Sequence, residues 1–322
     1  MRKCFAIYNR NEEQRLLSTS GGVFYLLAKK IIEDNGLVFG ASYTSDKQVV
    51  HKYISKVQEI SDLQGAKYVQ STLGGTFFEV KEALISGRKV LFSGTPCQIA
   101  GLKKYLEEDY ENLLTIDLVC HGVPSPLAWK EYLEYRRIKD EQKEIADEIN
   151  VRSKVTGWSH YAYSVEFRYK SGKIYQQVSG QDPYMQAFIS NMTLRASCNN
   201  CKFKGLSRCS DLTLGDFWGI WNSKPEMDDN KGTSLVIVHS AKGQEYLKQI
   251  RKDCVITKVT EEEAYGENPS LMEASAINPD RDEVLCELEE QSFSIVIDEL
   301  RKTKKSKNSS KMSCIFKRIW KK

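Results

Sequence analysis

Histidine is scarce in this sequence. Four occur, at positions 51, 121, 160 and 239, so a metal site built on two or three imidazoles has little to draw on. Long apolar runs are missing too: nothing approaches the roughly 20 residues a membrane-spanning helix needs. The opening stretch, MRKCFAIYNRNEEQR, turns charged before any apolar segment develops. No secretory signal is read there, and a cytoplasmic location is expected. No G-x-G-x-x-G run, no internal repeat and only one CxxC pair are found. Broad positive charge is absent as well. The net charge is +4, but Arg301 to Lys322 holds ten Lys or Arg and no acid. The first 300 residues therefore carry 37 basic against 43 acidic side chains, a net of −6, which leaves no electrostatic case for nucleic acid.

What remains is an ordinary globular chain of 322 residues, 41% hydrophobic and 28% charged, long enough for two lobes. Ser18-Thr-Ser-Gly-Gly22 opens an amphipathic helix that ends near Gly36. Strand-like runs follow at 37–43 and 49–55, then a helix over 76–86 and a buried strand at 89–94. Thr95-Pro96 starts a helix through Leu106, because proline suits a first helical turn. A strand at 113–119 and a helix at 126–138 continue the β-α-β-α rhythm. From residue 140 the texture changes. Residues 141–150 read as a helix end or linker, and 161–178 as a hairpin turning at Lys170-Ser-Gly-Lys173. Strands at 212–217, 234–239 and 255–259 precede a long helix over 282–302. The pattern predicts an α/β to α+β fold: a mostly parallel N-terminal sheet with helices, joined to a mixed-sheet C-terminal half.

Nine cysteines, an odd number without an export signal, point to metal or redox use rather than a disulfide framework. Cys198-Asn-Asn-Cys201 is the strongest local motif, a spacing that lets two thiolates face one zinc ion or one iron–sulfur cluster. A complete site needs about four ligands. Cys97 lies in the first turn of a predicted helix, where free N–H groups favour a thiolate. Cys120 ends the next predicted strand, at the carboxyl edge where α/β sheets form their ligand crevice. Each also reads as a small buried hydrophobe. Cys4, Cys254, Cys286 and Cys314 read as core or tail residues, and Cys209 as a spare or substitute ligand. His121, beside Cys120, is a candidate proton donor or a turn residue. Ser20, Gly21 and Gly22 offer a phosphate-binding helix terminus or a plain cap. The loop Gly65 to Ser71 mixes a cation, an aromatic ring and polar groups. Leu214-Gly-Asp-Phe-Trp-Gly219 sets a Trp between glycines, which suits a flat ring against backbone.

Taken together and in order, these motifs resemble the coenzyme F420 hydrogenase/dehydrogenase beta subunit family, including its bacterial members associated with polysaccharide gene clusters. The resemblance runs from about Phe5 to Ile250. It rests on Ser20-Gly-Gly22, Val38-Phe-Gly-Ala41, Lys67-Tyr-Val-Gln-Ser71, Phe92-Ser-Gly-Thr-Pro-Cys-Gln98 and Asp117-Leu-Val-Cys-His-Gly-Val-Pro-Ser125. It continues through Thr156-Gly-Trp158, Leu194 to Cys201 and Asp211 to Gly219. The resemblance implies FAD and a [4Fe–4S] cluster. It makes Cys97, Cys120, Cys198 and Cys201 the cluster ligands. Ser20, Gly21, Gly22, Lys67, Gln70, Ser71, Thr95, Gln98, Gly215, Asp216, Trp218 and Gly219 become the flavin surroundings. Many relatives begin with a ferredoxin-like C-x2-C-x2-C-x3-C-P run; only Cys4 stands in that region here.

The expected protein is an iron–sulfur flavoprotein oxidoreductase that passes electrons between its cluster and a hydride carrier or substrate through FAD. On this reading residues 1–140 form the flavin-binding α/β half and 141–260 the mixed half with the CxxC and GDFWG motifs. Residues 261–300 form a helical segment and 301–322 a basic tail. A ferredoxin-like or other iron–sulfur partner and a small-molecule hydride carrier are the expected partners. In the tail, Ile315, Phe316, Ile319 and Trp320 form one helical stripe among Lys and Arg, which offers a peripheral membrane contact. Two rival classes stand beside this. One is a zinc-stabilised scaffold of a polysaccharide system. The other is a thiol enzyme with Cys97 as nucleophile and His121 as base.

Overall fold

The computed structural model describes residues 3–159, 162–290 and 293. The strands are β1 (Lys3–Asn9), β2 (Leu37–Tyr43), β3 (Val49–Ile54), β4 (Val90–Gly94), β5 (Leu113–Leu118), β6 (Glu148–Ser153), β7 (Ser164–Arg168), β8 (Ile174–Val178), β9 (Leu212–Asp216), β10 (Ser234–Val238) and β11 (Cys254–Val259). Eight of them form one sheet in the order β11-β1-β10-β9-β5-β4-β2-β3, and β6-β7-β8 form a second. The large sheet is parallel in its middle, where β2 pairs β4, β4 pairs β5 and β5 pairs β9. Its flanks are antiparallel. This is the predicted α/β to α+β architecture.

The parallel strands are covered on both faces, which is why they read as unbroken apolar runs. On one face the helix Val23–Glu33 sets Leu27 and Ile31 against Leu91, Leu114 and Ile116. On the other, helices Thr76–Ile85 and Pro96–Leu106 set Val80, Leu84, Ile99 and Leu102 against Phe39 and Phe92. A third core of stacked aromatics, with Trp129, Tyr132, Phe167, Tyr184 and Phe293, packs under the small sheet.

Three elements depart from the pattern. β1 is a strand the sequence pattern did not mark; its partners are more than two hundred residues away, with Phe5 facing both Val236 and Lys258. β6 begins inside the stretch read as a linker. Cys286 is exposed rather than in the core, because the helix Arg281–Glu290 buries Val284 and Leu288 and turns position 286 away from that face. Cys4 and Cys254 are buried as read. The predicted helix beyond residue 290, Cys314 and the tail 301–322 lie outside the described residues. No described helix is long and apolar enough to cross a membrane.

The topology aligns the carboxyl ends of β2, β4, β5 and β9 along one edge of the sheet. Residues 95–98, 119–125 and 217–219 leave the sheet there, where open α/β sheets place their ligands.

Candidate functional site at the carboxyl edge of the sheet

Cys97 stands at the second position of the helix Pro96–Leu106 and is exposed. Thr95 caps that helix, its N–H bonding Gln98 Oε1 at 2.9 Å, and its hydroxyl lies 3.1 Å from Cys97 Sγ. Gln98 Nε2 donates to Ser71 Oγ at 2.9 Å, and the Gln70 N–H donates to Pro124 O at 3.1 Å. The loop over 67–71 is thereby tied both to Cys97's helix and to the turn that follows Cys120.

Cys198 and Cys201 arrive from the other side on a single 3-10 turn, Ala196–Asn200. Two backbone contacts draw that turn against the Cys120 loop: the Arg195 N–H bonds Val123 O at 2.9 Å, and Pro124 bridges Leu194. Gly122 makes the approach feasible, since a Cβ there would fall 2.9 Å from Leu194 Cδ1 and 3.3 Å from Cys198 Cβ. Cys120 then lies within electrostatic reach of Cys97, Cys198 and Cys201, and Cys198 within reach of Cys97 and Cys201. Burial pushes the Cys120 thiol up to about 12, with Cys97, Cys198 and Cys201 adding to the rise and Lys204 opposing it. Burial raises Cys198 as well, while the Val123 N–H favours its thiolate. Any metal centre bound here must displace those protons.

Cys209, the spare, has a different neighbourhood: it feels Asp117, Lys103 and Arg208. Among the described residues no three His, Cys, Asp or Glu side chains are gathered for a single metal ion. Thiolates on one zinc stand roughly 4 Å apart, given Zn–S near 2.3 Å. Those of a [4Fe–4S] cluster stand wider, because the inorganic core lies between them. By its chemistry, a set of four thiols suits the ligation of a [4Fe–4S] cluster.

The stretch 270–276 straps this arrangement. Asn199 Nδ2 donates to Ser275 O and Ala276 O, the Gly205 N–H to Leu271 O, and Ser275 Oγ to the His121 carbonyl. His121 itself is held on both ring nitrogens. Asn191 gives its Nδ2 to Ala276 O, so its Oδ1 accepts from His121 Nε2 at 2.7 Å, and Ser270 Oγ lies 3.4 Å from Nδ1. Burial lowers the His121 pKa and favours the neutral ring.

The remaining flavin candidates collect around a second centre. Gly215 packs on Val119, one residue before Cys120; a Cβ there would lie 2.5 Å from Val119 Cγ2. Asp216 Oδ2 accepts from Arg152 Nη2 at 2.9 Å and Oδ1 from Trp158 Nε1 at 3.0 Å. Trp218 stacks on Trp158 with centroids 5.2 Å apart, and Arg152 lies 4.8 Å above the Trp218 ring. Gly219, with φ of 82°, turns the chain into the next helix. Ser20 bonds Thr233 O at 2.9 Å, and Lys154 Nζ donates to Ser20 O, Arg15 O and Lys231 O. Tyr68, beside Lys67, lies within electrostatic reach of both Arg152 and Asp216.

Two candidates make close contacts within the fold. Lys67 Nζ donates to Gln64 O at 2.7 Å and to Asp62 O and Gly65 O, locking its own loop; burial draws its pKa down to about 7. Gly21 is wedged against backbone: a Cβ would fall 2.2 Å from Ile7 O and 2.8 Å from Ser234 N. Gly21→Ala is therefore expected to cost roughly 2–3 kcal/mol through overpacking. Gly180→Ala, whose Cβ meets nothing, should be nearly neutral. Urea unfolding midpoints of the two variants check this, and equal midpoints would refute it.

Arg152 and Lys204 are the residues the sequence pattern missed. Arg152 is almost wholly buried, yet its Nε and Nη1 find no well-aligned acceptor. Its face covers Tyr163 at 3.8 Å. Buried donors left without an aligned acceptor mark a place for a bound group or water. The sequence pattern carried no signal for either; β6, which bears Arg152, begins in the stretch read as a helix end or linker.

The family described as the C terminus of the coenzyme F420 hydrogenase/dehydrogenase beta subunit matches residues 87–264. Among solved structures, a chain of the F420-reducing [NiFe] hydrogenase complex from Methanosarcina barkeri, studied under xenon derivatization, has a TM-score of 0.52 at 16% identity. The match covers 93% of this chain and 90% of that one, and at this identity it is a likeness of fold. No curated protein matches the chain.

Proposed function

Because the chain belongs to the coenzyme F420 hydrogenase/dehydrogenase beta subunit family, a family of oxidoreductase subunits, we propose that it is an iron–sulfur flavoprotein that moves electrons between a one-electron partner and a hydride carrier. The observation that carries the reading is the convergence of Cys97, Cys120, Cys198 and Cys201 at the carboxyl edge of the parallel strands, each within electrostatic reach of others. When bound, a [4Fe–4S] cluster would supply single-electron transfer and FAD would supply two-electron chemistry.

The chain's own residues set the conditions for both. Thr95 orients the exposed Cys97, and Val123 N–H stabilises the Cys198 thiolate. Trp218 and Tyr163 present ring faces to Arg152, and this cluster would fix and polarise a flat heteroaromatic group. His121, hydrogen-bonded to Asn191 and beside Ser270, would orient the Cys120 loop and keep a proton at Nε2. Cys97 is the ligand nearest solvent, and a ferredoxin-like partner would approach on that side.

Anaerobic purification followed by iron, acid-labile sulfide and flavin assays tests the proposal. The expected product is brown, with about four iron and four sulfide per chain and FAD released on denaturation. Colourless protein that takes up zinc but neither iron nor flavin after reconstitution would overturn it.

A further inference from the structure

The ammonium of Lys204 is a half-buried cation. Nζ donates to the Cys120 carbonyl and to Ser270 O at 2.7 Å. Both acceptors are neutral. No carboxylate pairs with it among the described residues; the groups within electrostatic reach that could offset its burial are the thiols of Cys120, Cys201 and Cys198. Its nearest cationic rival, Arg208, is committed to the buried Asp117 carboxylate, 3.6 Å away. An ammonium taken partly out of water gains from a counter-charge, and Cys120, Cys198 and Cys201 are placed to provide one once they are deprotonated as ligands.

We propose that Lys204 is the fixed positive charge that sets the reduction potential of the group held by Cys97, Cys120, Cys198 and Cys201. The inference rests on the reading of those four cysteines as cluster ligands. Each electron added to a cluster adds one negative charge beside this cation, so the reduced form gains more from it than the oxidised form does. Lys204 is a positioning residue that acts in two ways. Its hydrogen bonds fasten the Cys120 turn to the 270–276 strap, and its charge biases the redox equilibrium.

A neutral side chain should therefore lower the midpoint potential. At an effective dielectric constant of roughly 40, between the buried and bulk-water limits, and a separation of roughly 6 Å, a half-buried unit charge is worth roughly a tenfold change in the one-electron equilibrium constant. That corresponds to about 59 mV. The experiment is an EPR-monitored anaerobic redox titration of the full chain, wild type against Lys204→Gln and Lys204→Arg, with iron and sulfide measured on each. The expected result is a Gln variant with near-normal iron and a midpoint lowered by about that amount, and an Arg variant returned close to wild type. Loss of iron in the Gln variant alone, restored by Arg, also supports a required charge. Unchanged midpoints in a fully loaded Gln variant, or equal iron loss in both variants, would overturn the charge role. A wild-type protein that cannot be loaded with iron and sulfide at all would bring down the cysteine assignment itself, a different and separately visible failure.

Discussion

Cys198→Ala, Cys201→Ala, Cys120→Ala and Cys97→Ala should each lose most of the iron and acid-labile sulfide, while Cys209→Ala keeps both. The contrast follows from the company each thiol keeps. Cys120 and Cys198 each lie in the fields of the other three, and the Arg195–Val123 and Pro124–Leu194 contacts and the close approach at Gly122 draw their loops together. Cys209 faces Asp117, Lys103 and Arg208, on a loop anchored by the buried Arg208–Asp117 pair. Altering the outer partners of metal ligands alone costs roughly 10–100-fold in affinity, so removing a ligand should cost at least that. Cys97 is the sharpest case because it is exposed: its replacement disturbs no packing, so any loss of iron reports ligation rather than misfolding. Thermal melts of the metal-free variants supply the control. Full iron in Cys97→Ala and Cys120→Ala would remove those two from the set, and iron lost only in Cys209→Ala would promote that residue in their place.

The parts of the fold legible in the sequence are those whose physics is local. Thr95-Pro96 announces a helix start because a cap and a proline need no distant partner, and the helix begins at Pro96. Lys170-Ser-Gly-Lys173 announces a turn because Gly172 adopts a φ of 84° and β7 pairs directly with β8. β1 was not legible for the opposite reason: its pairing is decided by β10 and β11, at the far end of the chain. The same division runs through the candidate site. Cys97, Cys120 and the CxxC pair announced themselves by their places in local elements. Arg152 and Lys204 did not, because an isolated Arg or Lys carries no signal until the fold sets it between aromatic faces or among thiols. The strap over 270–276 was equally silent, since it acts mainly through backbone carbonyls that any residue supplies.

Arg152→Met is expected to weaken FAD binding by roughly 10–100-fold, the worth of one charge-assisted contact to a ligand at about 1.5–3 kcal/mol. The guanidinium is 2% exposed and spends one donor on Asp216, another on the Trp158 carbonyl at 3.5 Å, and its face on Tyr163 and Trp218. Its Nε and Nη1 remain without an aligned acceptor, which in a native interior marks a place for a bound group or water. A variant lacking the arginine also strands Asp216, whose second oxygen keeps only the Trp158 indole. Some loss of stability would follow from that alone. The double variant Arg152→Met with Asp216→Asn separates the two effects, because it removes the stranded charge but not the missing donors. Arg152→Lys is the finer probe: it keeps a charge but loses the planar fork, and should recover only part of the affinity. Apo-protein of each form is titrated with FAD and followed by quenching of flavin fluorescence, with urea midpoints recorded without FAD. The expected pattern is weak binding in Arg152→Met and in the double variant alike, with the urea midpoint restored only in the double. Wild-type FAD affinity in the double variant would show that Arg152 serves the fold by pairing Asp216, and that the flavin lies elsewhere along the sheet edge.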